Sequence, residues 1–385
     1  MAFDKKHVLI GLILLGIVTL VGIASCAKNN SPAGPFAVLP PSPTPTNTPT
    51  PSWQVVGYAD FSAGAAGYIS LAVCNGTPYV AYEDVANNYM ATVMGYNWWS
   101  WSPVGNTGFS AGRAYSTTLA FNNGTPYVAY VDGANSGKVT VMYFNGSNWV
   151  NVGNPGFSAG YSGYTSLAIY NGTPYVAYED SGSGDKATVM YYNGSNWVTV
   201  GNAGFSVGNV FYTSLAIYNG TPYVAYEDSG NGYKATVMSY NGSNWVNMGN
   251  AGFSAGMADY ISLAIHNGTL YVAYQDGGNG YKATVMSLNG STWANVGNPG
   301  FSAGEAFSLS LAMNNGTPYV AYEDGGNGHK ATVMSYNGST WVNVGNAGFS
   351  AGYADYTSLV CSNGTPYVAY EDDFNSGMAT VMSYH

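Results

Sequence analysis

The segment SWQVVGYADFSAG (residues 52–64) decides the fold, because it is the end of a repeated unit whose beginning is absent at that point. Similar segments, such as NWVNVGNPGFSAG (148–160), recur along the chain, each after about thirty residues of strand-like sequence. The Phe of the segment recurs every 48 residues, at Phe61, Phe109, Phe157, Phe205, Phe253, Phe301 and Phe349. A Trp precedes each Phe by eight residues, at Trp53, Trp101, Trp149, Trp197, Trp245, Trp293 and Trp341, and only Trp98 and Trp99 lie outside this series. The chain is therefore a tandem repeat of seven units.

Each unit contains four short runs that are rich in β-branched and aromatic residues. In one unit these are YTSLAIYNG (164–172), TPYVAYED (173–180), KATVMYYNG (186–194) and SNWVTVG (195–201). Asn-Gly pairs or Gly-rich stretches separate the runs, and Asn-Gly is a strong signal for a tight β-hairpin because both turn residues need a positive φ. A unit is therefore predicted to be four antiparallel strands.

Seven such units predict an all-β fold, a seven-bladed β-propeller with four antiparallel strands per blade, since radial packing covers both faces of each apolar sheet. The last unit, residues 356–385, holds three strands, and WQVVG can supply the fourth. We expect this N-terminal strand to close the ring in the last blade, with Trp53 as a closure residue rather than a binding residue. A β-solenoid is the alternative, but linear stacking gives no reason for the chain ends to complement each other.

Three segments divide the chain. Residues 1–25 are predicted to be a signal peptide, because Lys5 and Lys6 precede a long apolar run. The run ends in IASC, which resembles the lipobox of bacterial lipoproteins, and the resemblance implies cleavage before Cys26 and lipidation of its sulfur. Residues 26–52 continue as a Pro/Thr-rich linker, and 53–385 form the propeller. We expect localisation in the bacterial cell envelope, at the outer membrane or cell surface, with the membrane contacted through the lipid anchor only.

Composition excludes several functions. The net charge is −10 and only 7% of residues are charged, so nucleic-acid binding is not expected. His266, His329 and His385 lie singly in different blades or at the terminus, which does not favour a metal site, and the chain contains no nucleophile or phosphate-binding motif. We expect no cofactor, no enzyme activity and a monomeric ring.

Cys74 and Cys361 lie in the first strands of the first and last blades, which are neighbours in a closed ring. They differ by one position when the repeats are aligned, so their side chains point to opposite faces of their sheets. Adjacent blades present opposite faces to each other, and a disulfide across the shared groove is therefore possible. Two buried thiols are the alternative.

Differences between the repeats cluster in two loops, one after FSAG and one after the Asp that ends the second strand. In an antiparallel blade both loops emerge on one face and the repeated turns on the other, so the variable face is the candidate for recognition, with drift at tolerant positions as the alternative. Candidate binding residues there are Tyr68, Tyr89, Arg113, Tyr161, Phe211, Tyr233, Tyr281, Tyr353 and Phe374.

The Asp that ends the second strand occurs in every unit, at Asp84, Asp132, Asp180, Asp228, Asp276, Asp324 and Asp372, and Glu precedes it in five of the seven. The favoured interpretation is a turn Asp that accepts backbone hydrogen bonds. An acidic ring that binds Ca²⁺ or cationic partners is the alternative. Paired carboxylates for glycoside cleavage are disfavoured, because seven near-equal copies lack the required asymmetry.

Two further resemblances bear on function. SYNGSTW (335–341) resembles the Asp-box of sialidase-type propellers, but it is one residue short, and the single arginine of the ring departs from the arginine cluster of sialidases. The whole chain resembles bacterial surface propellers with YVAYxD and KATVM repeats, a group without a defined activity. The sequence therefore predicts a surface-displayed, lipid-anchored binding module for glycan or polymeric ligands. A scaffold for envelope proteins is the first alternative and a polysaccharide-active enzyme the last.

Overall fold

The computed structural model describes residues 50–385 as seven four-stranded antiparallel sheets arranged in a ring. The predicted signal peptide, Cys26 and most of the linker lie outside the described residues. The innermost strands of the blades are β2 (Ala66–Cys74), β6 (Ala114–Asn122), β10 (Ser162–Tyr170), β14 (Val210–Tyr218), β18 (Ala258–His266), β22 (Ala306–Asn314) and β26 (Ala354–Ser362). Each contacts the innermost strand of the next blade, including β26 with β2, so the ring is closed.

The other strands follow outward in chain order. The second strands are β3 (Thr77–Asp84), β7 (Thr125–Asp132), β11 (Thr173–Asp180), β15 (Thr221–Asp228), β19 (Thr269–Asp276), β23 (Thr317–Asp324) and β27 (Thr365–Asp372). The third strands are β4 (Met90–Tyr96), β8 (Lys138–Phe144), β12 (Lys186–Tyr192), β16 (Lys234–Tyr240), β20 (Lys282–Asn289), β24 (Lys330–Tyr336) and β28 (Met378–Tyr384). The outermost strands are β5 (Trp101–Pro103), β9 (Trp149–Asn151), β13 (Trp197–Thr199), β17 (Trp245–Asn247), β21 (Thr292–Asn295), β25 (Trp341–Asn343) and β1 (Trp53–Val55).

A short 3-10 turn links the second and third strands of every blade. These turns are Val85–Asn87, Gly133–Asn135, Ser181–Ser183, Ser229–Asn231, Gly277–Asn279, Gly325–Asn327 and Asp373–Asn375. Within residues 50–385 none of the helical segments has the length and apolarity needed to span a bilayer.

The N-terminal strand completes the last blade, as predicted. β1 pairs antiparallel with β28, with Trp53 opposite Tyr384 and Val55 opposite Met382. The Trp53 indole donates a hydrogen bond to the carbonyl of Val344 at 2.7 Å and stacks on Phe349 at 4.3 Å between ring centroids. The two ends of the propeller domain therefore share one sheet, and Trp53 ties that sheet to the preceding blade.

The other repeat tryptophans make the same contacts. Trp101 stacks on Phe61 at 4.1 Å, and its indole donates to the carbonyl of Val56 at 2.9 Å. Each Trp thus packs on the Phe that lies 40 residues earlier, in the preceding inter-blade loop, and not on the Phe eight residues later. Aliphatic clusters fill all seven blade interfaces. The periodic aromatic residues are therefore inter-blade contacts, and they explain why the repeat length does not vary.

Of the two alternatives for Cys74 and Cys361, the structure has two free thiols and not the disulfide. Cys74 packs between blades 1 and 2, whereas Cys361 packs between blades 6 and 7, and no bond joins them. The two side chains do point to opposite faces of their sheets. Both faces, however, are those turned away from the shared groove, and the prediction was wrong on this point.

Candidate functional site

The ring has two chemically different faces. We call the first the Asn-Gly face; it carries the repeated turns between the first and second strands, such as Asn75–Gly76, and between the third and fourth, such as Asn145–Gly146. The second is the variable-loop face, formed by the loops before the innermost strand and after the second strand. These two loops are joined within each blade: the amide of Gly133 donates to the carbonyl of Arg113 at 2.8 Å.

Charge is confined to the variable-loop face. Every Lys, Arg, Asp and Glu between residues 50 and 385 lies in the two variable loops, in the loop ahead of them, or in the strand ends that join them. The turns of the Asn-Gly face contain Asn, Gly, Thr and Ser instead of charged residues. The chemistry that could recognise a ligand is therefore concentrated at one end of the ring.

A bulge in each innermost strand turns one side chain toward the axis of the ring. In β14 the register shifts between Phe211 and Ser214, and Tyr212 takes a φ of 50°. Equivalent residues share this conformation: Tyr68, Ser116, Tyr164, Tyr260, Ser308 and Tyr356. The tyrosine rings contact each other across blades, with centroids 5.0 to 5.2 Å apart for Tyr212–Tyr260, Tyr164–Tyr212 and Tyr68–Tyr356. They form an aromatic wall around the axis, and burial raises the pKa of each.

The Glu that precedes the repeated Asp faces the groove between two blades. In blade 4 Glu227 meets Asp259 of blade 5, and the Glu227 carboxyl donates a hydrogen bond to Asp259. Burial, followed by the charge of Asp259, raises the pKa of Glu227 to about 9. Glu323 and Asp355 form the same pair between blades 6 and 7, and burial together with Asp355 raises the pKa of Glu323 to about 9. Both glutamates therefore favour the protonated form at neutral pH.

Two further glutamates at this position lack a partner of this kind across the groove. Burial raises the pKa of Glu179 to about 7, with a contribution from the charge of Asp185. Burial and the charge of Asp355 raise the pKa of Glu371 to about 8. Glu227, Glu323 and Glu371 therefore favour the protonated form at neutral pH.

The Glu of blade 1 has a cation beside it instead. The Nε of Arg113 lies 2.5 Å from Oε1 of Glu83, and the guanidinium lies between the rings of Tyr89 and Tyr115, at 4.2 and 4.4 Å from their centroids. Burial raises the pKa of Glu83, and the hydrogen bond and charge of Arg113 oppose that rise. The Arg113 side chain is 42% exposed. A guanidinium held by two rings and a carboxylate is fixed in place while its remaining N–H groups face solvent.

Blade 6 repeats this layout with different residues. Nδ1 of His329 lies 2.6 Å from Oε1 of Glu323, and the imidazole stacks on Phe307 at 5.7 Å and contacts Tyr353 at 5.3 Å. Glu323, His329 and Tyr353 occupy the positions of Glu83, Tyr89 and Arg113 in the repeat, so the basic side chain comes from a different position in this groove. Phe307, which stands at the position of Gly67, completes the His cluster. The grooves share one scaffold but are not chemically equivalent.

The predicted binding residues fall into two groups. Most are exposed on the variable-loop face: Tyr89, Tyr161, Tyr233, Tyr281, Tyr353 and Phe374. Tyr68 and Phe211 instead lie within strands β2 and β14, and Tyr68 is buried in the aromatic wall. Their assignment to loops was wrong, because a bulge adds residues to a strand without any turn residue to reveal it.

The repeated aspartates do not form an exposed acidic ring. All seven are buried, and in six of them Oδ1 accepts the backbone amide two residues on, as Asp132 does from Ala134 at 3.0 Å. Oδ2 of Asp132 accepts from Asn135 and Thr140. In Asp84 only Oδ2 is bonded, to Asn87 and Thr92, and Oδ1 is without a hydrogen bond. Within residues 50–385 no group of three or more metal-binding side chains is present. Six of the seven carboxylates therefore cap their 3-10 turns through the backbone, as the favoured interpretation expected, and Asp84 is the exception.

The paired carboxylates could have been found by comparing the seven repeats in the sequence. Asp259 and Asp355 precede the axial tyrosines, where the other repeats have Gly, Tyr or Phe. A charged residue at one position of an innermost strand in only two repeats breaks the sevenfold equality on which the sequence argument relied.

A cavity opens on the Asn-Gly face. This cavity of about 650 Å³ lies in the axial channel and is lined by the ends of the innermost strands, including Phe121, Tyr170, Tyr218 and His266. Its walls consist mainly of Ala, Leu and Ile, and asparagines lie around its opening. Among the residues that the structure describes, no Lys, Arg, Asp or Glu lines it. It offers few of the convergent polar groups found at the variable-loop face.

No protein-family model and no curated protein sequence matches the chain. Solved propellers match it in fold. A SapL1 lectin in complex with alpha methyl fucoside aligns with a TM-score of 0.52 and 14% identity, over 74% of this chain and 97% of the lectin. An ulvan lyase, a polysaccharide lyase, aligns with a TM-score of 0.55 and 11% identity, over 85% of this chain and 94% of the lyase. A Trypanosoma rangeli sialidase aligns with a TM-score of 0.51 and 11% identity, over 87% of this chain and 60% of the sialidase. At these identities the likeness shows the propeller fold alone.

Proposed function

We propose that this protein is a non-catalytic glycan-binding module, held in the bacterial cell envelope by a lipid on Cys26, and that it recognises uncharged sugar polymers on its variable-loop face. The observation that carries the proposal is the Arg113 cluster, in which the exposed ring of Tyr89 and the half-buried ring of Tyr115 flank the guanidinium. Sugars are bound by aromatic faces that cover their apolar C–H surfaces and by hydrogen-bonding groups that reach their hydroxyls. The cluster offers both within one groove.

The protonated carboxyls support an uncharged ligand. A neutral carboxyl both donates and accepts hydrogen bonds, which suits hydroxyl groups, whereas the acidic balance of the ring repels polyanions. Among the solved propellers, the lectin with alpha methyl fucoside supports an uncharged sugar as ligand. The lyase is bound to -[GlcA(1-4)Rha3S]-, a charged saccharide, and supports only a carbohydrate ligand in general.

The chemical differences between grooves favour a composite site over seven equal ones. A polymer that crosses the face would meet Arg113 in one groove and His329 in another. Linked contacts raise the apparent affinity because the second contact is intramolecular. We therefore expect tighter binding of long chains than of the monosaccharides from which they are built.

A glycan array with residues 50–385 tests the proposal. The best ligand should then bind Arg113→Ala roughly 10- to 100-fold more weakly by calorimetry, since a hydrogen bond to a charged group contributes about 1.5–3 kcal/mol. Lys234→Ala is the control, because it removes one positive charge from the same face in blade 4. An array without hits, or equal affinity of the Arg113 variant and the wild type, contradicts the proposal. Capture of an envelope protein alone would favour the scaffold alternative.

A further inference from the structure

Two tryptophans stand apart from the packing of the ring. Trp98 and Trp99 lie in the turn between β4 and β5 of blade 1, and their residues are 69% and 89% exposed. The seven repeat tryptophans are buried or half-buried between blades. Exposed aromatic residues of this size at a turn contribute nothing to the core of the propeller.

The turn itself does not require them. Oδ1 of Asn97 accepts from the amides of Trp99 at 3.1 Å and Ser100 at 2.9 Å, just as Oδ1 of Asn145 accepts from two amides in blade 2. Trp98 has a φ of 75° at a position that is glycine in blades 2 to 6, for example Gly146 with a φ of 98°. A left-handed conformation is strained for a bulky residue, and Trp98 is too exposed for buried packing to offset that strain. A strained residue without a packing gain indicates a function.

The location of the pair indicates what it contacts. It lies on the Asn-Gly face, which has no charged side chain among the described residues. The chain enters the ring on this same face, because Ser52 bonds with His385 and Trp53 lies opposite Tyr384, and blade 7 is the direct neighbour of blade 1. The described chain therefore begins, at residue 50, on the Asn-Gly face in the blade next to the tryptophan turn.

We propose that Trp98 and Trp99 insert into the interfacial region of a phospholipid bilayer and rest the Asn-Gly face on the membrane. Indole rings favour this region, since they combine an apolar body with a polar N–H. An uncharged face meets no repulsion from anionic headgroups. The predicted lipid on Cys26 would keep the face near the bilayer, but the contact needs no anchor and is independent of glycan binding. The variable-loop face then points away from the membrane.

A sugar-stacking site is the competing occupant. Such a site needs several polar groups that converge on the ligand. Beside the pair, the Asn97 carbonyl oxygen is already occupied by the turn, and its amide nitrogen lies 3.4 Å from Ser102 Oγ. The bilayer interface requires no such convergence.

The test uses residues 26–385 with Cys26→Ser, so that no acyl anchor can form, and vesicles of phosphatidylcholine with brominated acyl chains, which quench tryptophan fluorescence on contact. We expect vesicle-dependent quenching that stays within twofold when salt is raised from low to physiological strength. The double variant Trp98→Gly, Trp99→Ser restores the turn of the other blades and should lose at least tenfold in partitioning. Adding Gly146→Trp and Ser147→Trp to it moves the pair to blade 2 and should restore partitioning.

Absence of quenching in the Cys26→Ser chain overturns the proposal, and so does unchanged partitioning of the double variant. Loss of binding to a soluble glycan in the double variant, without any effect of lipid, would assign the pair to carbohydrate instead. Glycan binding through the Arg113 cluster should be the same in both chains, so failure of one proposal does not imply failure of the other.

Discussion

The two faces of the ring differ in how strictly the repeat is kept. The Asn-Gly face repeats the same turns from blade to blade and is without charged side chains among the described residues, whereas the variable-loop face differs in almost every groove. The repeated parts include the Trp–Phe contacts between blades and the capped Asp turns, which lie on the variable-loop face itself. The departures are the side chains around those turns, some exposed, as Arg113 is, and some half-buried in the grooves, as Asp259 is. Position-by-position divergence on a rigid scaffold therefore separates recognition from stability, and the Trp98–Trp99 turn is the departure on the otherwise uniform face.

The largest expected effect is on the repeated parts. Trp53→Ala removes the stacking on Phe349 and the bond to Val344 at the closure, and should lower the free energy of unfolding by about 3–5 kcal/mol. Tyr353→Ala, on the variable-loop face, should change it by less than about 0.5 kcal/mol, because the side chain is exposed. Urea unfolding measures both. Equal losses in the two variants would show that divergence and stability are not separated.

The buried carboxyls of the variable-loop face make stability depend on pH. The folded pKa values of Glu227 and Glu323 are raised from 4.5 to about 9, so the unfolded chain releases these protons at a lower pH than the folded ring. The unfolded state binds fewer protons between pH 4.5 and 9, and the free energy of unfolding must fall as pH rises through that window. We expect a melting temperature that is higher at pH 5 than at pH 8. A flat or rising profile would contradict the carboxyl assignments.

Because only some grooves contain a carboxyl pair, neighbouring grooves should contribute differently to the pH dependence of stability. Glu227→Gln should remove the part of the pH dependence that comes from the Glu227–Asp259 pair, and the melting temperature should drop less between pH 5 and 8. Glu179→Gln is the matched change in blade 3, where Phe211 stands in place of Asp259 and the folded pKa is about 7, so its effect on the profile should be smaller. Equal effects would mean that Asp259 does not influence Glu227.

The smallest expected effect is on the tryptophan turn. Trp98→Gly relieves a left-handed backbone and should raise the free energy of unfolding by roughly 0.5–1 kcal/mol. Gly146→Trp, the reverse change in blade 2, should lower it by a similar amount. Chemical unfolding of both variants checks the sign. A loss of stability on Trp98→Gly would show that the indole packs on the ring and would weaken the argument for a membrane contact.

The sequence predicted the repeated parts well and the site incompletely. The position of Trp53 and the unfinished last unit were enough to predict the closure, because strand number and hairpin turns are local properties. Cys74 and Cys361 were misplaced because side-chain alternation shows only that the two side chains lie on opposite faces of their sheets. Which sheet face packs against the next blade depends on the handedness of the ring, and the alternation does not give it. The axial tyrosines escaped notice because a bulge, not a turn, directs them. The Arg113 cluster joins residues of two blades, and this proximity depends on inter-blade distances.

Amide hydrogen exchange, measured with and without the best glycan from the array, tests most directly whether ligands bind on the variable-loop face. We expect slower exchange on binding in residues 85–89 and 113–116, which carry the Arg113 cluster, and unchanged exchange in the Asn-Gly turns of all blades. Protection of the Asn-Gly turns, with the variable loops unchanged, would contradict it.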